Sequence, residues 1–343
     1  MKAIKNHTNH CRALLIAAVS LIPGTLRAQS SNAGTSPFTF MELRYDARTI
    51  ALGGASAAVP GDGYGVFSNP GTIAYINSQQ AVVGYRSEPA GVYGIPLAYL
   101  LPENGKGVFG ISVCGLTSGN IAATDIGNDG SPIITGDNAY LDDYNLSLSW
   151  AKKLGEYVGA GVTAKAIYEY VKGDGDFYST LGVAFDAGCQ GRFLNSRLIY
   201  GFVARNLGAV LNGYDKGYPL PAEFAAGVSY IPISIPEFRV MIDLDKKRDD
   251  ELTFEPAGEW EIIKNQLIAR VGYSVSWGDV QALKNYLAGN EESDYTRNNM
   301  TGFCCGVGFK TPIAQRTVSF DAAVEFLTIA APPNLSLSML VEM

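Results

Sequence analysis

Histidine is nearly absent from this 343-residue chain, since it occurs only at His7 and His10. Both positions lie within the first 28 residues, which have the pattern of a cleaved export signal. The rest of the chain therefore offers no histidine for a Ser-His-Asp or Cys-His pair, for a His-ligated zinc site or for a general base of near-neutral pKa. We expect that the protein is not an enzyme and that it holds neither a metal nor a cofactor.

The export signal is expected at residues 1–28. Positive residues come first, an apolar stretch too short to span a bilayer follows at 13–26, and cleavage is expected after Ala28. Removing this segment leaves 22 basic residues against 33 acidic ones, a formal charge of −11. Because nucleic acid is itself a polyanion, we expect no nucleic-acid partner.

Cysteine is also scarce after the signal, where four remain: Cys114, Cys189, Cys304 and Cys305. They show no Cys-x-x-Cys spacing, which argues against metal or redox chemistry. One possible bridge per roughly 150 residues would not make a disulfide scaffold. We interpret these cysteines as small apolar side chains.

Period-two alternation runs from Gln79 to the C-terminus and gives fourteen candidate strands, with no convincing long helix among them. One register of these strands is apolar and free of ionisable side chains. The opposite register is small or charged, and its charged members are Lys165, Glu169, Asp186, Arg205, Arg239, Asp243, Glu259, Glu261, Arg270, Lys310, Asp321 and Glu325. The pattern predicts one dry face and one wet face.

Geometry favours an outer-membrane β-barrel over a soluble sandwich or barrel. Fourteen strands closed around an apolar interior would enclose a lumen too wide for side chains to fill. In a membrane barrel the apolar register faces lipid and the small, charged register lines a polar lumen. We therefore predict an all-β transmembrane barrel of about 14 antiparallel strands over 79–343, located in the cell outer membrane with lipid around it.

Connections between the strands alternate between short and long, as in outer-membrane barrels. The longest loops are expected at 117–139 and 278–300. The second carries a polar mixture suited to a reversible contact, which makes it a candidate docking loop: Glu291, Glu292, Asp294 and Arg297. Aromatics near strand ends, Trp150 and Trp277 among them, are candidates for interfacial girdles.

Residues 29–78 are irregular and rich in glycine, and a wide lumen is the natural place for them. Gly53 and Gly54, like the glycines at 61, 63 and 65, permit left-handed backbone, and Asn69-Pro70 enforces extended backbone before a turn. We predict that this segment is a hatch inside the barrel, with Gly53, Gly54, Asn69 and Pro70 as its motif.

Several short motifs in a fixed order carry a resemblance to a known family. They are Ala47-Arg48, Leu52-Gly53-Gly54, Asp62, Phe67-Ser68-Asn69-Pro70, Asp186, Arg205-Asn206-Leu207-Gly208, Leu220-Pro221 and Ala226-Gly227. Together they resemble PorV/PorQ-type proteins of the wider FadL superfamily, and they cover most of the chain after the signal. The resemblance implies a fourteen-stranded barrel with an N-terminal hatch. This sequence departs from the pattern at Gly71, where the family usually has alanine, and at Met343, where outer-membrane barrels commonly end in an aromatic residue.

The resemblance implies a role in type IX secretion, with exported cargo proteins and other components of the secretion system as partners. The sequence does not decide between a PorV-like cargo shuttle and a PorQ-like part of the attachment complex. Two alternatives stay open: a FadL-like channel for hydrophobic solutes and a soluble secreted β-sandwich. A lumen of glycine, serine and charge favours the secretion role, because a hydrophobic solute requires an apolar pocket.

Overall fold

The computed structural model describes residues 36–119, 121–127, 130–173, 177–213, 217–287, 302–326 and 332–343. The expected signal segment lies outside this range, so the cleavage site stays a prediction. Apart from a few short helical segments, the described chain is β-structure.

Seventeen strands form one antiparallel sheet that closes on itself. The strands are β1 (Gln80–Ser87), β2 (Tyr93–Gly94), β3 (Leu97–Glu103), β4 (Gly107–Thr117), β5 (Ile121–Ile126), β6 (Pro132–Leu154), β7 (Val158–Lys172), β8 (Phe177–Phe193), β9 (Leu198–Asn212), β10 (Glu223–Tyr230), β11 (Phe238–Lys247), β12 (Leu252–Ile263), β13 (Leu267–Tyr273), β14 (Val275–Ser276), β15 (Phe303–Ile313), β16 (Arg316–Phe326) and β17 (Asn334–Glu342). β1 pairs with β17 from Gln80 opposite Glu342 to Arg86 opposite Ser336, which closes the barrel.

The closed ring has fourteen members, as the alternation predicted. β2 and β3 keep a single register against β1 and are interrupted only at Ile95-Pro96. β13 and β14 likewise keep one register against β12, on either side of Ser274. β5 pairs with the far end of β6 and stands outside the ring. The fold class is therefore a closed 14-stranded antiparallel β-barrel.

The two faces of the wall follow the predicted registers. On β6, Leu146 and Leu148 are 47% and 60% exposed on the outward face, whereas Ser147 and Ser149 between them are buried on the inward face. An outward face of large apolar side chains is the pattern of a barrel that meets hydrocarbon.

The lumen is filled by the N-terminal segment that the sequence placed there. Residues 36–78 lie inside the wall and contain a short helix, Ala47–Ala51, and 3-10 turns at Thr39–Glu42, Gly63–Phe67 and Thr72–Tyr75. Their apolar side chains form clusters with inward residues of the wall. Small inward residues therefore make room for this segment.

A helix at Trp277–Leu287 replaces the strand end that was expected at Trp277. The Ser276 hydroxyl accepts from the Asp279 amide at 3.1 Å while the Asp279 carboxylate accepts from the Ser276 amide, which is the geometry of a capping box. Trp277 is buried against Phe254, with ring centroids 6.0 Å apart, so it does not belong to an outward girdle. No helix in the described part of the chain is long and apolar enough to cross a membrane.

The barrel has a short-turn end and a long-loop end. Three residues connect the strands at each of 104–106, 155–157 and 264–266 on the short-turn end. On the long-loop end, the loop expected at 117–139 is instead a hairpin of β5 and the first part of β6, which runs for 23 residues. The docking-loop residues Glu291, Glu292, Asp294 and Arg297 lie outside the described residues.

Candidate functional site

The hatch segment, residues 36–78, is the candidate functional site because it occupies the lumen. Its glycine pair follows the short helix, with φ of +66° at Gly53 and +101° at Gly54. A Cβ on Gly53 would lie 2.6 Å from the Tyr273 nitrogen, and one on Gly54 would lie 2.5 Å from a Glu255 carboxylate oxygen. Both positions therefore need glycine for conformation and for close approach to the wall.

The glycines at 61, 63 and 65 differ from this expectation, since none of them has a positive φ. Close approach explains at least two of them. A Cβ on Gly61 would lie 1.9 Å from the Thr72 carbonyl oxygen, and one on Gly65 would lie 2.0 Å from the Thr72 hydroxyl.

Asn69 and Pro70 lie against a glycine-lined part of the wall. The Asn69 amide donates to the Ala57 carbonyl at 2.8 Å, and its side-chain oxygen accepts from the Gly71 amide at 2.9 Å. A Cβ on Gly188 would meet that oxygen at 2.1 Å, and one on Gly161 would meet the Pro70 carbonyl oxygen at 2.4 Å. Glycine at these wall positions thus leaves space for the Asn69-Pro70 turn.

A first group of buried charges ties the hatch segment to β9, β10 and β11. Arg44 lies 2.5 Å from a Glu223 carboxylate oxygen and 2.6 Å from an Asp245 oxygen. Arg205 of the wall lies 2.6 Å from the same Glu223 oxygen and donates to the Ser68 carbonyl at 2.9 Å. Arg44 is therefore the hatch partner of two wall carboxylates.

A second group of charges ties the short helix to β12, β13 and β16. Arg48 contacts Asp62 at 2.5 Å within the hatch segment and Glu259 of the wall at 3.2 Å. Glu259 also pairs with Arg270 at 2.8 Å, and Arg270 continues to Asp321 at 2.5 Å. Hatch and wall therefore share one chain of ion pairs.

Burial and charge act in opposite directions on the two hatch arginines. Burial alone would lower the pKa of Arg44, but the facing Glu223 and Asp245 carboxylates raise it well above its usual value. The pKa of Arg48 is raised in the same way, by Glu259 and Asp62 against burial. Both side chains stay positively charged inside the lumen.

Asp46 caps the short helix and accepts from the Thr49 amide at 2.7 Å. It is fully enclosed, and burial raises its pKa to about 6 in spite of the hydrogen bonds from Thr49 that lower it. This carboxylate titrates near neutral pH.

The first residues of the hatch segment, 36–43, form what we call the apolar arm. Phe38 and Phe40 are buried, with ring centroids 6.4 Å apart, and they pack with Met41 against apolar wall residues at the long-loop end. These wall residues are Cys114, Ile167, Ala184, Val210 and Leu220. The arm therefore occupies an apolar site at the long-loop end, apart from the second apolar cluster that residues 64–76 form with the wall.

Wall residues of the quoted motifs meet at a β-bulge between β8 and β9. Asn206 has a φ of +60°, and its amide nitrogen donates to Asp186 at 2.8 Å. Lys165 lies 2.8 Å from Asp186 and donates to the Asn206 side-chain oxygen at 2.8 Å. The Asn206 side chain also reaches the Met41 carbonyl at 3.4 Å, so the bulge supports the apolar arm.

In the described part of the chain, no group of three or more His, Cys, Asp or Glu residues could hold a metal ion. Cys114, Cys189, Cys304 and Cys305 are all free thiols.

Sequence reasoning missed the partners of the hatch segment in the wall. Arg44, Glu223, Asp245 and Glu255 were not singled out as a cluster, because they lie far apart in the chain. The run from Gly159 to Thr163 did indicate that another segment packs against the inner side of the wall. Alternating glycine on the inward register leaves space for backbone to approach.

No family model matches the chain, and no curated protein matches it. Solved structures match it in fold. The toluene transporter TbuX of Ralstonia pickettii has a TM-score of 0.58 at 10% identity, over 87% of this chain and 97% of the transporter. The toluene transporter TodX of Pseudomonas putida has a TM-score of 0.57 at 12% identity, over 87% and 96%. CymD, a monoaromatic hydrocarbon channel, has a TM-score of 0.53 at 10% identity, over 87% and 96%.

Likeness at such low identity shows the fold alone. It agrees with the FadL-like part of the resemblance and gives no support to the narrower PorV/PorQ assignment or to secretion cargo as a partner. The three neighbours are transporters or channels by name, and none is named as an enzyme. In its fold, this chain is a closed 14-stranded antiparallel barrel similar to the barrels of these hydrocarbon transporters.

Proposed function

We propose that this protein is an outer-membrane channel for hydrophobic solutes, with the hatch segment as the plug of its lumen. Residues 1–28 would direct export, residues 29–78 would form the plug and residues 79–343 the barrel. The outward apolar face and the likeness to hydrocarbon transporters support this proposal over a soluble sandwich.

The observation that carries the proposal is the apolar site at the long-loop end. The side chains of Phe38, Phe40 and Met41 occupy it and pack with apolar wall residues there. Their backbone is held by two hydrogen bonds, from the Asn206 side chain to the Met41 carbonyl at 3.4 Å and from the Tyr45 hydroxyl to the Phe40 carbonyl at 3.0 Å. A hydrophobic solute presents the same kind of surface as these side chains and can take their place in the apolar site. Phe38 has a φ of 58°, a strained conformation for a non-glycine residue, so packing must hold the arm in place.

The filled lumen also removes the reason for preferring a secretion role. That preference depended on an inward register of glycine, serine and charge, because a hydrophobic solute requires an apolar pocket. Those side chains instead receive the hatch segment, whose apolar arm provides the apolar contacts at the long-loop end. The type IX secretion role is therefore not proposed.

Uptake by purified barrel in vesicles tests the function. Because toluene crosses a phospholipid bilayer unaided, the vesicles need an outer leaflet of lipopolysaccharide, which slows its entry. Labelled toluene should then enter vesicles that contain the protein faster than protein-free ones, whereas labelled glucose should not. The double variant Phe38→Ala with Phe40→Ala empties the apolar site and should raise toluene uptake several-fold.

Phe309→Ala with Phe320→Ala is the matched control, because these two phenylalanines face each other on the outward side, at 48% and 43% exposure. It should leave uptake at the wild-type rate. Equal toluene entry with and without the wild-type protein would refute the channel.

A further inference from the structure

An apolar groove of about 710 Å³ lies on the outward face of the barrel, across β6 to β11. Its floor is formed by small residues, among them Ala160, Ala187 and Ala204, at positions where neighbouring strands carry large ones. Trp150, Phe202 and Phe224 are among the large side chains that line it, and each is at least 41% exposed. The groove is separate from the lumen and from the hatch segment.

When the barrel is in a membrane, this groove is filled, and its occupant is not water. Water in it would find few hydrogen-bond partners, because the lining is almost wholly apolar. Hydrocarbon is the solvent on this side of the wall once the barrel is embedded. The occupant is then an acyl chain.

The groove has a polar neighbour at the short-turn end. Lys152 lines both the groove and a second cleft of about 290 Å³, whose other residues include Asn77, Asn104 and Lys153. Lys152 is exposed and has no hydrogen-bond or ion-pair partner within the described residues. One lysine therefore joins an apolar groove to a polar cleft, as an amphiphile with one tail and one head requires.

Two further contacts indicate the level of Trp150 in the membrane and the sign of the charge beside it. The Trp150 indole nitrogen donates to the Lys106 carbonyl at 3.0 Å, which places this tryptophan beside the turn, at the level that tryptophan occupies between lipid tails and headgroups. The carboxylate in the cleft, Glu103, is already paired with Lys106 at 2.8 Å. Lys152 is therefore a free positive charge at this level and the one that lines the groove there.

We propose that the groove binds one acyl chain of a membrane glycerophospholipid whose anionic headgroup lies against Lys152. The proposal rests on the proposed membrane location but not on solute transport. Lys246 lines the opposite end of the groove, but its ammonium donates to the Lys247 carbonyl at 3.0 Å and to the Asp250 carbonyl. Lys152 is therefore the headgroup contact.

Quenching of Trp150 by brominated acyl chains tests the proposal directly. The chain has three tryptophans, so Trp260→Phe with Trp277→Phe leaves Trp150 as the only reporter. The barrel is placed in phosphatidylcholine vesicles that contain increasing fractions of brominated phosphatidylglycerol or brominated phosphatidylcholine. Half-maximal quenching should need roughly five-fold less of the anionic lipid, the preference expected of one lysine near a headgroup.

Lys152→Gln should abolish that preference, while Lys264→Gln, an exposed lysine at another turn of the same end, should keep it. Ala204→Phe should weaken quenching by both lipids because it fills the groove. Equal quenching of the starting protein by both lipids would mean that any lipid or apolar solute fills the groove, and it would overturn the proposal; so would an unchanged preference in Lys152→Gln.

Failure to insert into vesicles would leave Trp150 unquenched by either lipid and would overturn the membrane location itself. Should the two-tryptophan replacement not assemble, the quenching difference between wild type and Trp150→Phe reports the same signal. Toluene uptake, measured separately, should be the same in Lys152→Gln as in the wild type.

Discussion

The hatch segment consists of two parts that are equally enclosed but held by different forces. The apolar arm, 36–43, is held by contacts between apolar side chains at the long-loop end. The anchored part, 44–76, is held by Arg44 and Arg48 in buried ion pairs with the wall and by the Asn69 turn. Apolar contact can be exchanged for another apolar molecule, whereas a buried ion pair can be separated only by leaving charges unpaired. We therefore expect the apolar arm to move and the anchored part to stay in place.

Arg44→Met should have the largest effect on this comparison. It leaves the Glu223 and Asp245 carboxylates without their hatch partner, at a cost of about 3–5 kcal/mol. Hydrogen exchange should then show protection lost in the anchored part as well as in the arm. Lys106→Met is the control, since Lys106 is in an exposed pair with Glu103 at 2.8 Å, and it should change protection little. Equal effects of both variants would mean that the buried pairs do not anchor the hatch segment.

Phe38→Ala should loosen the arm alone. Loss of a buried phenylalanine ring costs about 3 kcal/mol. The cost falls on the arm, whose one ion pair, Glu42 with Lys247, is long at 3.9 Å. The arm should become sensitive to added protease in the folded barrel while amides near Thr49 keep their protection. Loss of protection at Thr49 in this variant would show that the two parts unfold together.

Asn69→Ala should produce a smaller loss, of about 1–3 kcal/mol, confined to the turn that lies on Gly161 and Gly188. The variant leaves the Ala57 carbonyl and the Gly71 amide without their bonds to the Asn69 side chain. Exchange at the Gly71 and Thr72 amides is the measurement. Asn77→Ala, outside the turn, should leave exchange at these two amides unchanged. Faster exchange in Asn77→Ala would mean that the effect is not specific to the turn.

Asp46→Asn should have the smallest effect at low pH and should remove a pH dependence. The buried carboxyl has its pKa raised to about 6, so the folded state binds a proton that the unfolded chain has released. This group therefore favours the folded hatch below pH 6 and loses that contribution as the pH rises through its pKa. Asparagine keeps the cap to Thr49 without the charge. Protection of the Ile50 amide should fall between about pH 4 and about pH 7 in the wild type, where the two states differ in protonation, and stay level in the variant.

The barrel was predictable from the sequence because its physical rule is local. A strand in a membrane-type wall alternates with period two, so residues such as Leu146 and Leu148 reveal the outward face one strand at a time. The count of fourteen and the closed antiparallel order follow from such runs. The helix at Trp277–Leu287 was missed because Val275 and Trp277 continue the alternation beyond the end of the sheet, while the capping pair of Ser276 and Asp279 indicates a helix start.

The site was less predictable, because its contacts join residues that no short-range pattern connects. Arg44 and Glu223 are 179 positions apart, and Arg48 and Glu259 are 211 apart. The inward register showed that charges lie inside, but it could not show that they meet a plug. For this reason a variant such as Thr163→Arg, which an open lumen would tolerate, should be poorly accepted: Thr163 is 1% exposed and shares a hydrogen bond of 2.8 Å with Ser149.

Closure of the ring by β1 and β17 constrains the order of events during folding. The Ser87 hydroxyl donates to the Leu335 carbonyl, and the two residues are 248 positions apart, so the last seam forms between the most distant strands of the chain. Contacts at such separation are slow to form. The hatch segment directly precedes β1, the first strand of that seam, so we expect it to lie within the curved sheet when the seam closes. Barrel assembly and burial of the hatch segment would then be a single kinetic step, and a hatch variant that stays outside should slow closure of the whole wall.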